Sequence, residues 1–239
     1  MPGVPPVAAS RHPHLADELP EGWVRVDLHS HTMWSGDATT TPDELREAVA
    51  ESGIDVLCIT DHGTINGAVE LASSLGCRVV VGEEVKTAAG EIIGLFLTER
   101  LPFGMKPEEA VTAIRDQGGV VYVPHPFDPV RHCLAEPALE SLAASGGLDA
   151  VEVFNAKVSL AHLNRRAAEF AATHGLAGGA GSDAHVASAI GAAYVEMPDF
   201  DDASPASFLQ SLRAGRIVGH HYDAPRAWRP RVVPSTKAL

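Results

Sequence analysis

Val26-Asp27-Leu28-His29-Ser30-His31-Thr32 decides how the rest of the chain is read. It runs from alternating apolar and polar residues into two histidines spaced i, i+2, and along an extended strand alternate side chains share a face. His29 and His31 therefore point the same way from the end of a strand, and two imidazoles side by side make half of a metal site. The pattern returns three times, each time where an apolar run stops, at Thr60-Asp61-His62, Pro124-His125-Pro126 and Ser182-Asp183-Ala184-His185. The rest of the chain is expected to bring these strand ends together.

Outward from that strand (Trp23 to His29), the loop Thr32 to Thr40 leads to a helix start at Thr41-Pro42-Asp43-Glu44. Thr41 caps, Pro42 suits the first helical position, Glu44 completes a capping box, and Gly53 stops the helix. Asp55 to Thr60 is a continuous apolar run, as in a parallel strand buried on both faces. A helix over 67–75, a strand over 78–85 and a strand over 91–98 follow, the last pairing back across an Ala-Ala-Gly turn. Helices are expected from Pro107, over 136–144, 160–174 and 205–214. Strands are expected over 120–123, 150–154, 176–181, 193–197 and 216–218.

This alternation, with candidate functional residues after at least five strands, predicts an α/β barrel rather than a doubly wound sheet. A barrel gathers all its strand C-termini at one mouth, whereas an open sheet offers one crevice. No repeat or linker divides the chain. Residues 1–22, rich in Pro and Ala, read as an N-terminal arm, 23–221 as the barrel domain and 222–239 as a C-terminal tail. His12 and His14 fall in the arm as tail residues.

The 239 residues are 45% apolar and 21% charged, which is ordinary for a globular protein with a sizeable core. No run approaches the ~18 to 20 apolar residues of a membrane span, and Met1 to Ser10 lacks the pattern of a signal peptide. Three separated cysteines without CxxC spacing argue against a disulfide framework and for a reducing, cytoplasmic location. The net charge of −13 disfavours extended nucleic acid as a partner. A small anionic substrate stays compatible, because divalent cations invert the local field. No feature speaks to the oligomeric state.

The candidate metal ligands are His29, His31, Asp37, His62, Glu84, Glu91, His125, Asp183 and His185. This imidazole and carboxylate set, without thiolate, suits Zn, Mn or Fe rather than a closed cysteine zinc. Nine groups exceed the four to six that one ion uses, so two or three divalent ions sharing a bridging carboxylate are expected. Such clusters activate water and polarise an ester, and phosphoester hydrolysis has among the highest uncatalysed barriers. Asp27 and Asp61, each beside a ligand, are expected to orient imidazoles. Cys58, mid-strand, reads as a small core residue.

Asp27-Leu-His-Ser-His-Thr32, Ile59-Thr-Asp-His62, Gly82-x-Glu84, Pro124-His-Pro126 and Gly181-Ser-Asp-Ala-His185 together resemble the motifs of the PHP (polymerase and histidinol phosphatase) family, in the family's order, over about residues 24–220. The resemblance implies a distorted (β/α)7, TIM-like barrel with a trinuclear metal centre at the mouth and phosphoesterase chemistry. It assigns His29, His31, Glu84 and Asp183 to one ion, Glu84 and His125 to a second, and Asp37, His62 and His185 to the third. His29, His31, Glu84, His125, Asp183 and His185 are then the expected catalytic set. Two departures stand out. The acid of the family's Ser-Asp-Gly falls one position later in Ser35-Gly36-Asp37, and Glu91 stands where many members have histidine. A glutamate favours Mn or Fe over Zn there.

Arg131, Lys157 and Asn155, on mouth-side segments, are the expected substrate-binding residues, with Arg131 able to fork a phosphate. His132, able to assist as a proton donor, is read as a surface histidine, His162 and His174 fall on a helix exterior and at its C-terminal end, and His220 and His221 fall at the end of the last strand, in reach of the mouth but outside the expected site. The expected function is hydrolysis of a phosphoester of a small molecule or nucleotide end by a metal-activated hydroxide. The alternatives are an amidohydrolase-like C–N or C–O hydrolase, disfavoured by the lack of a carboxylated-lysine candidate at a strand end, and a non-catalytic accessory module, disfavoured by the near-complete ligand set.

Overall fold

The computed structural model describes residues 18–221. Nine strands form one sheet in the order β7-β6-β5-β4-β3-β2-β1-β8-β9. They are β1 (Trp23–Ser30), β2 (Val56–Ile59), β3 (Arg78–Thr87), β4 (Gly90–Leu95), β5 (Val120–Val123), β6 (Ala150–Asn155), β7 (Ala177–Gly181), β8 (Ala193–Pro198) and β9 (Arg216–Gly219). The helices between them are α1 (Pro42–Ser52), α2 (Asn66–Leu71), α3 (Pro107–Asp116), α4 (Glu136–Ala144), α5 (Ala161–His174) and α6 (Pro205–Ala214). Strands β1, β2 and β3 are mutually parallel, as are β5, β6 and β7, and β4 runs antiparallel between the two sets.

The sheet curls into a nearly closed barrel because β1 changes partners along its length. Its first half pairs antiparallel with β8, from Trp23 opposite Pro198 to Val26 opposite Val195. Its last residues meet the chain leaving β7, where the Asp183 N–H donates to the His29 carbonyl at 2.8 Å and the His31 N–H to the Ala184 carbonyl at 2.9 Å. That seam needs small residues. A Cβ on Gly181 would lie 2.4 Å from the His29 Cβ, and one on Gly179 would lie 2.7 Å from the Tyr122 hydroxyl. The Ala-Gly-Gly-Ala-Gly composition of β7 is thus what allows β1 and β7 to approach.

Alternating side chains divide the core. Val56 and Cys58 of β2 face the barrel interior with Leu28, Val80 and Tyr122. Leu57 and Ile59 face outward against Leu45 and Val49 of α1 and Leu71 of α2. α1 begins as its sequence requires: the Thr41 side chain and Glu44 form a reciprocal capping box, and Gly53 closes the helix at φ +66°. α2 is shorter than its pattern, ending at Leu71, where the Ser74 hydroxyl turns back onto the Leu71 carbonyl at 3.4 Å. The β3–β4 hairpin expected across the Ala-Ala-Gly turn is present, and β7 leads to β8 with a 3-10 turn and no α-helix between them. The hairpin matters for the site: with β4 reversed, its first residues rather than its last lie at the mouth. Among the described residues no helix is long and apolar enough to cross a membrane. His12, His14 and the segment 222–239 lie outside the described residues.

Candidate metal centre

At the mouth the nine candidate ligands form one contiguous cluster. His29 Nε2 and His31 Nε2 face each other at 3.0 Å, and Glu84 Oε2 lies 3.1 Å from the first and 3.2 Å from the second. Asp183 Oδ1 closes this group at 3.9 Å and 3.6 Å from the same two nitrogens. The other oxygen of Glu84, Oε1, lies 3.0 Å from His125 Nε2, which is also 3.8 Å from Glu91 Oε2. Asp37 Oδ2 sits between His62 Nε2 at 3.3 Å and His185 Nε2 at 3.4 Å. Glu84 is therefore the shared member, turned toward different imidazoles on its two sides.

The backbone places these groups by local means. The side chain of Thr32 caps a 3-10 turn at Met33–Ser35, and Gly36 follows at φ +87°, a left-handed conformation that costs glycine little. That turn carries Asp37 back over the mouth, so the one-position displacement of the acid does not remove it from the cluster. His125 (φ +27°) and Asp183 (φ +49°) are two of the four non-glycine residues with positive φ among the described residues. Such conformations persist where the surroundings over-determine them, as they do around functional sites.

Buried partners hold the imidazoles from behind. Glu152 of β6 is fully buried, its Oε1 3.1 Å from His29 Nδ1, and its Oε2 accepts from the His125 backbone N–H at 2.6 Å and from Asn155 Nδ2 at 2.9 Å. A Nδ1–H directed at Glu152 leaves His29 Nε2 as the nitrogen that faces the cluster. His31 Nδ1 lies 3.1 Å from the Ser35 hydroxyl, so its Nε2 likewise faces inward. Glu152 is absent from the sequence reading. Its one signal is a carboxylate in the middle of a strand buried on both faces, where an ionised side chain needs partners.

Asp27 and Asp61 do not bind imidazoles as expected; their oxygens go to backbone and hydroxyl donors. Asp27 accepts from the N–H groups of His29 (3.3 Å), Ser182 (2.9 Å) and Gly191 (3.1 Å), which ties β1 to the segment carrying Asp183. Asp61 accepts from the Thr32 N–H and hydroxyl, both at 2.6 Å. Each Asp61 oxygen is thereby engaged by one donor of the same residue. Burial pushes both carboxyls up to about 6, against the lowering effect of those hydrogen bonds.

The cluster is electrostatically tense without a cation. Burial alone would raise Glu84, but the surrounding His29, His62 and His125 imidazoles hold it well below the usual carboxylate range. Burial would lower His29 too, and Glu152, Glu84 and Asp183 overcome it, so that imidazole is pushed well above 6.5. Burial and neighbouring His185 push His31 well below 6.5. Glu91 is driven up to about 7 by burial and by Glu84. Asp37 Oδ1, His62 Nδ1 and His125 Nδ1 are buried without a hydrogen-bond partner. Converging nitrogens and carboxylate oxygens, several unsatisfied and with no apolar filler among them, fit divalent cations.

Two cations of the chain lean on this cluster. Arg131 donates through Nε to Asp183 Oδ2 at 3.1 Å, through one terminal nitrogen to Asp128 at 2.6 Å and through the other to the Lys157 carbonyl. Lys157 Nζ lies 3.2 Å from Asp183 Oδ1 and 2.8 Å from His185 Nδ1. Lys157, expected on a mouth-side segment, is brought by the turn after β6 against two of the candidate ligands, Asp183 and His185. Asn155 is fully buried, and its amide donates to Glu152 and to Asp183 (3.3 Å), so it lies behind the ligands rather than on the open mouth. His132 is exposed, His174 pairs with Glu140 at 3.2 Å, and His221 packs on Phe154; none joins the cluster.

The chain is similar to several known proteins. An uncharacterised protein of Methanocaldococcus jannaschii, MJ1587, is 40% identical over 146 residues, spanning 56% of this chain and 82% of that protein. A second from the same organism, MJ0417, is 36% identical over 197 residues, 80% of this chain and 79% of the relative. The crystal structure of a two-domain protein of Bacteroides vulgatus, containing a predicted PHP-like metal-dependent phosphoesterase, shares the fold with a TM-score of 0.67 at 18% identity, covering 85% of this chain and 68% of that one. The PHP domain family model matches residues 27–144, and the PHP-associated model matches residues 161–217. With both models matched in order along the barrel that carries the cluster, the chain belongs to the PHP family.

Proposed function

We propose that the protein is a metal-dependent phosphoesterase acting on a small anionic substrate, a phosphorylated small molecule or a nucleotide end. The observation that supports it most is Glu84, whose two oxygens meet His29 and His31 on one side and His125 on the other. His29, His31, Glu84 and Asp183 would hold one ion, Glu84, His125 and Glu91 a second, and Asp37, His62 and His185 a third. Bound divalent cations supply Lewis acidity and lower the pKa of water at the mouth. The chain's own groups supply the rest. Glu152 keeps the His29 Nδ1 proton, Ser35 holds His31, and Arg131 with Lys157 orients Asp183 while offering positive charge to an anion. Three of the five Arg131 N–H donors have protein partners, which leaves two for a phosphoryl oxygen. The hard oxygens of Glu91 favour Mn or Fe at the second position.

The experiment is a panel of phosphomonoesters, phosphodiesters and short oligonucleotides assayed with Mn, with metal content measured on protein purified without added metal. Turnover of at least one phosphoester, lost on chelation, is expected. A full complement of zinc alone would count against the metal assignment. One observation favours a second reading, hydrolysis of a C–N or C–O bond: Lys157 Nζ lies among the ligands, 2.8 Å from His185. Inertness toward every phosphoester with activity on amides would select it, and inertness throughout would select a non-catalytic module.

A further inference from the structure

Glu91 shares its carboxylate with a cation of the chain itself. It is 3% exposed, and Lys86 stands directly opposite it in the β3–β4 ladder. Cross-strand neighbours on one face lie close enough for their side chains to pair, and Lys86 Nζ is 3.8 Å from Glu91 Oε1. Alternation along β3 puts Lys86 on the same face as the shared ligand Glu84, two residues earlier. The register of the hairpin thus carries an ammonium to the edge of the ligand cluster.

This contact differs from those of the two cations at Asp183. The Arg131 and Lys157 side chains are 14% and 18% exposed, and each hydrogen-bonds Asp183, at 3.1 Å and 3.2 Å. The Lys86 side chain is 44% exposed, and its 3.8 Å contact lies beyond hydrogen-bonding distance. The other nitrogens around Glu91 are as far away: His125 Nε2 at 3.8 Å from Oε2 and His62 Nδ1 at 3.9 Å from Oε1. Charge alone joins Lys86 to Glu91, and a half-exposed pair of that kind is weak, screened by salt and readily exchanged.

We propose that Lys86 is a positioning residue that acts through Glu91: it occupies this carboxylate while the second ion position is empty and lowers the affinity of that position for a divalent cation. The inference rests on the metal assignment made above. A cation taken up by Glu84, His125 and Glu91 brings two positive charges to the carboxylate that the ammonium already neutralises. The two repel, and the long, exposed lysine side chain can give way to solvent. Uptake at this position is therefore an exchange of an ammonium for an ion, and its strength is set by a residue that is not a ligand.

The test is a titration of the metal-free full chain with Mn, followed by calorimetry and by metal analysis after gel filtration. It is run at about pH 8, where a carboxyl displaced to about 7 is largely ionised, so that protonation of Glu91 does not enter the comparison. The wild type is compared with Lys86→Gln, Lys86→Arg and Arg213→Gln. The last removes the same charge from the final turn of α6, where Arg213 donates to the Gly175 carbonyl. Unchanged melting temperatures without Mn will show that the variants fold. Lys86→Gln is expected to tighten one class of Mn about three- to tenfold and leave the others unchanged, with the gain shrinking toward about 1 M NaCl. Lys86→Arg keeps the charge and should stay within about twofold of the wild type, and Arg213→Gln should change no class. If Lys86→Gln leaves every class unchanged, weakens one, or shifts all classes equally, the inference falls and the metal assignment stands. A wild type that binds none of Mn, Fe and Zn overturns both.

Discussion

The two halves of the cluster are built differently. The inner half, His29, His31, Glu84, His125 and Asp183, is buried, sits on or beside strands, and is backed by Glu152 at His29 and at the His125 N–H, by Ser35 at His31 and by Arg131 at Asp183. The outer half, Asp37, His62 and His185, lies on loops, and the Asp37 side chain is 38% exposed. The inner half is held before any ion arrives; the outer half depends on a 3-10 turn and one left-handed glycine. The contrast teaches that ion affinity should be graded across the mouth, with the outer position the first to empty.

Removing Glu84 should erase the contrast, because both halves lean on it. Glu84→Gln is expected to lower turnover about 10³-fold or more, and metal analysis should show loss from more than one position. Gly181→Ala strikes the inner half through packing, since its Cβ would meet His29 Cβ at 2.4 Å. A loss of about 1–3 kcal/mol is expected, read as a lower denaturation midpoint. Glu152→Gln should weaken metal binding or activity by about 10–100-fold while the fold stays intact, as loss of a carboxylate behind a ligating imidazole does. Asp37→Asn should do less. Titration with Mn should show the weakest class of ion lost and the tighter classes unchanged; an equal loss in all classes would break the distinction between halves.

The smallest effect concerns the loops outside the cluster. Burial would raise Asp128, but the Val130 and Ser159 N–H groups and the Arg131 guanidinium hold it below 3.8. A carboxyl with a depressed folded pKa contributes stability that is present above the unfolded value of 3.8 and lost as the pH falls through the folded one. Asp128→Asn should therefore be less stable than the wild type at neutral pH by about 2 kcal/mol. That gap should narrow below about pH 4, measured by denaturant titration at several pH values.

Much of the fold was legible along the chain because its signals are local. The capping box at Thr41 and Glu44, the left-handed Gly53 and the apolar runs of β2 and β5 act within a few residues, and their elements appear where they were expected. The limits of α2 were not legible, since a serine hydroxyl turning back onto the helix competes with a continuing hydrophobic pattern.

What the sequence determined by itself was the donor set: imidazoles and carboxylates recurring at strand ends, a periodicity of two that turned His29 and His31 to one face, and a composition without thiolate clusters. What only the tertiary structure decided was which groups stand behind those donors. Glu152, Asp128 and Asn155 lie 27 to 31 residues from partners such as the His125 N–H, the Ser159 N–H and the Asp183 carboxylate. Asp27 reaches Ser182 across 155 residues. A ligand is recognisable by its own chemistry, but a group that holds a ligand is defined by what it touches, and those contacts arise only when β1 and β7 close against each other through glycines too small to keep them apart.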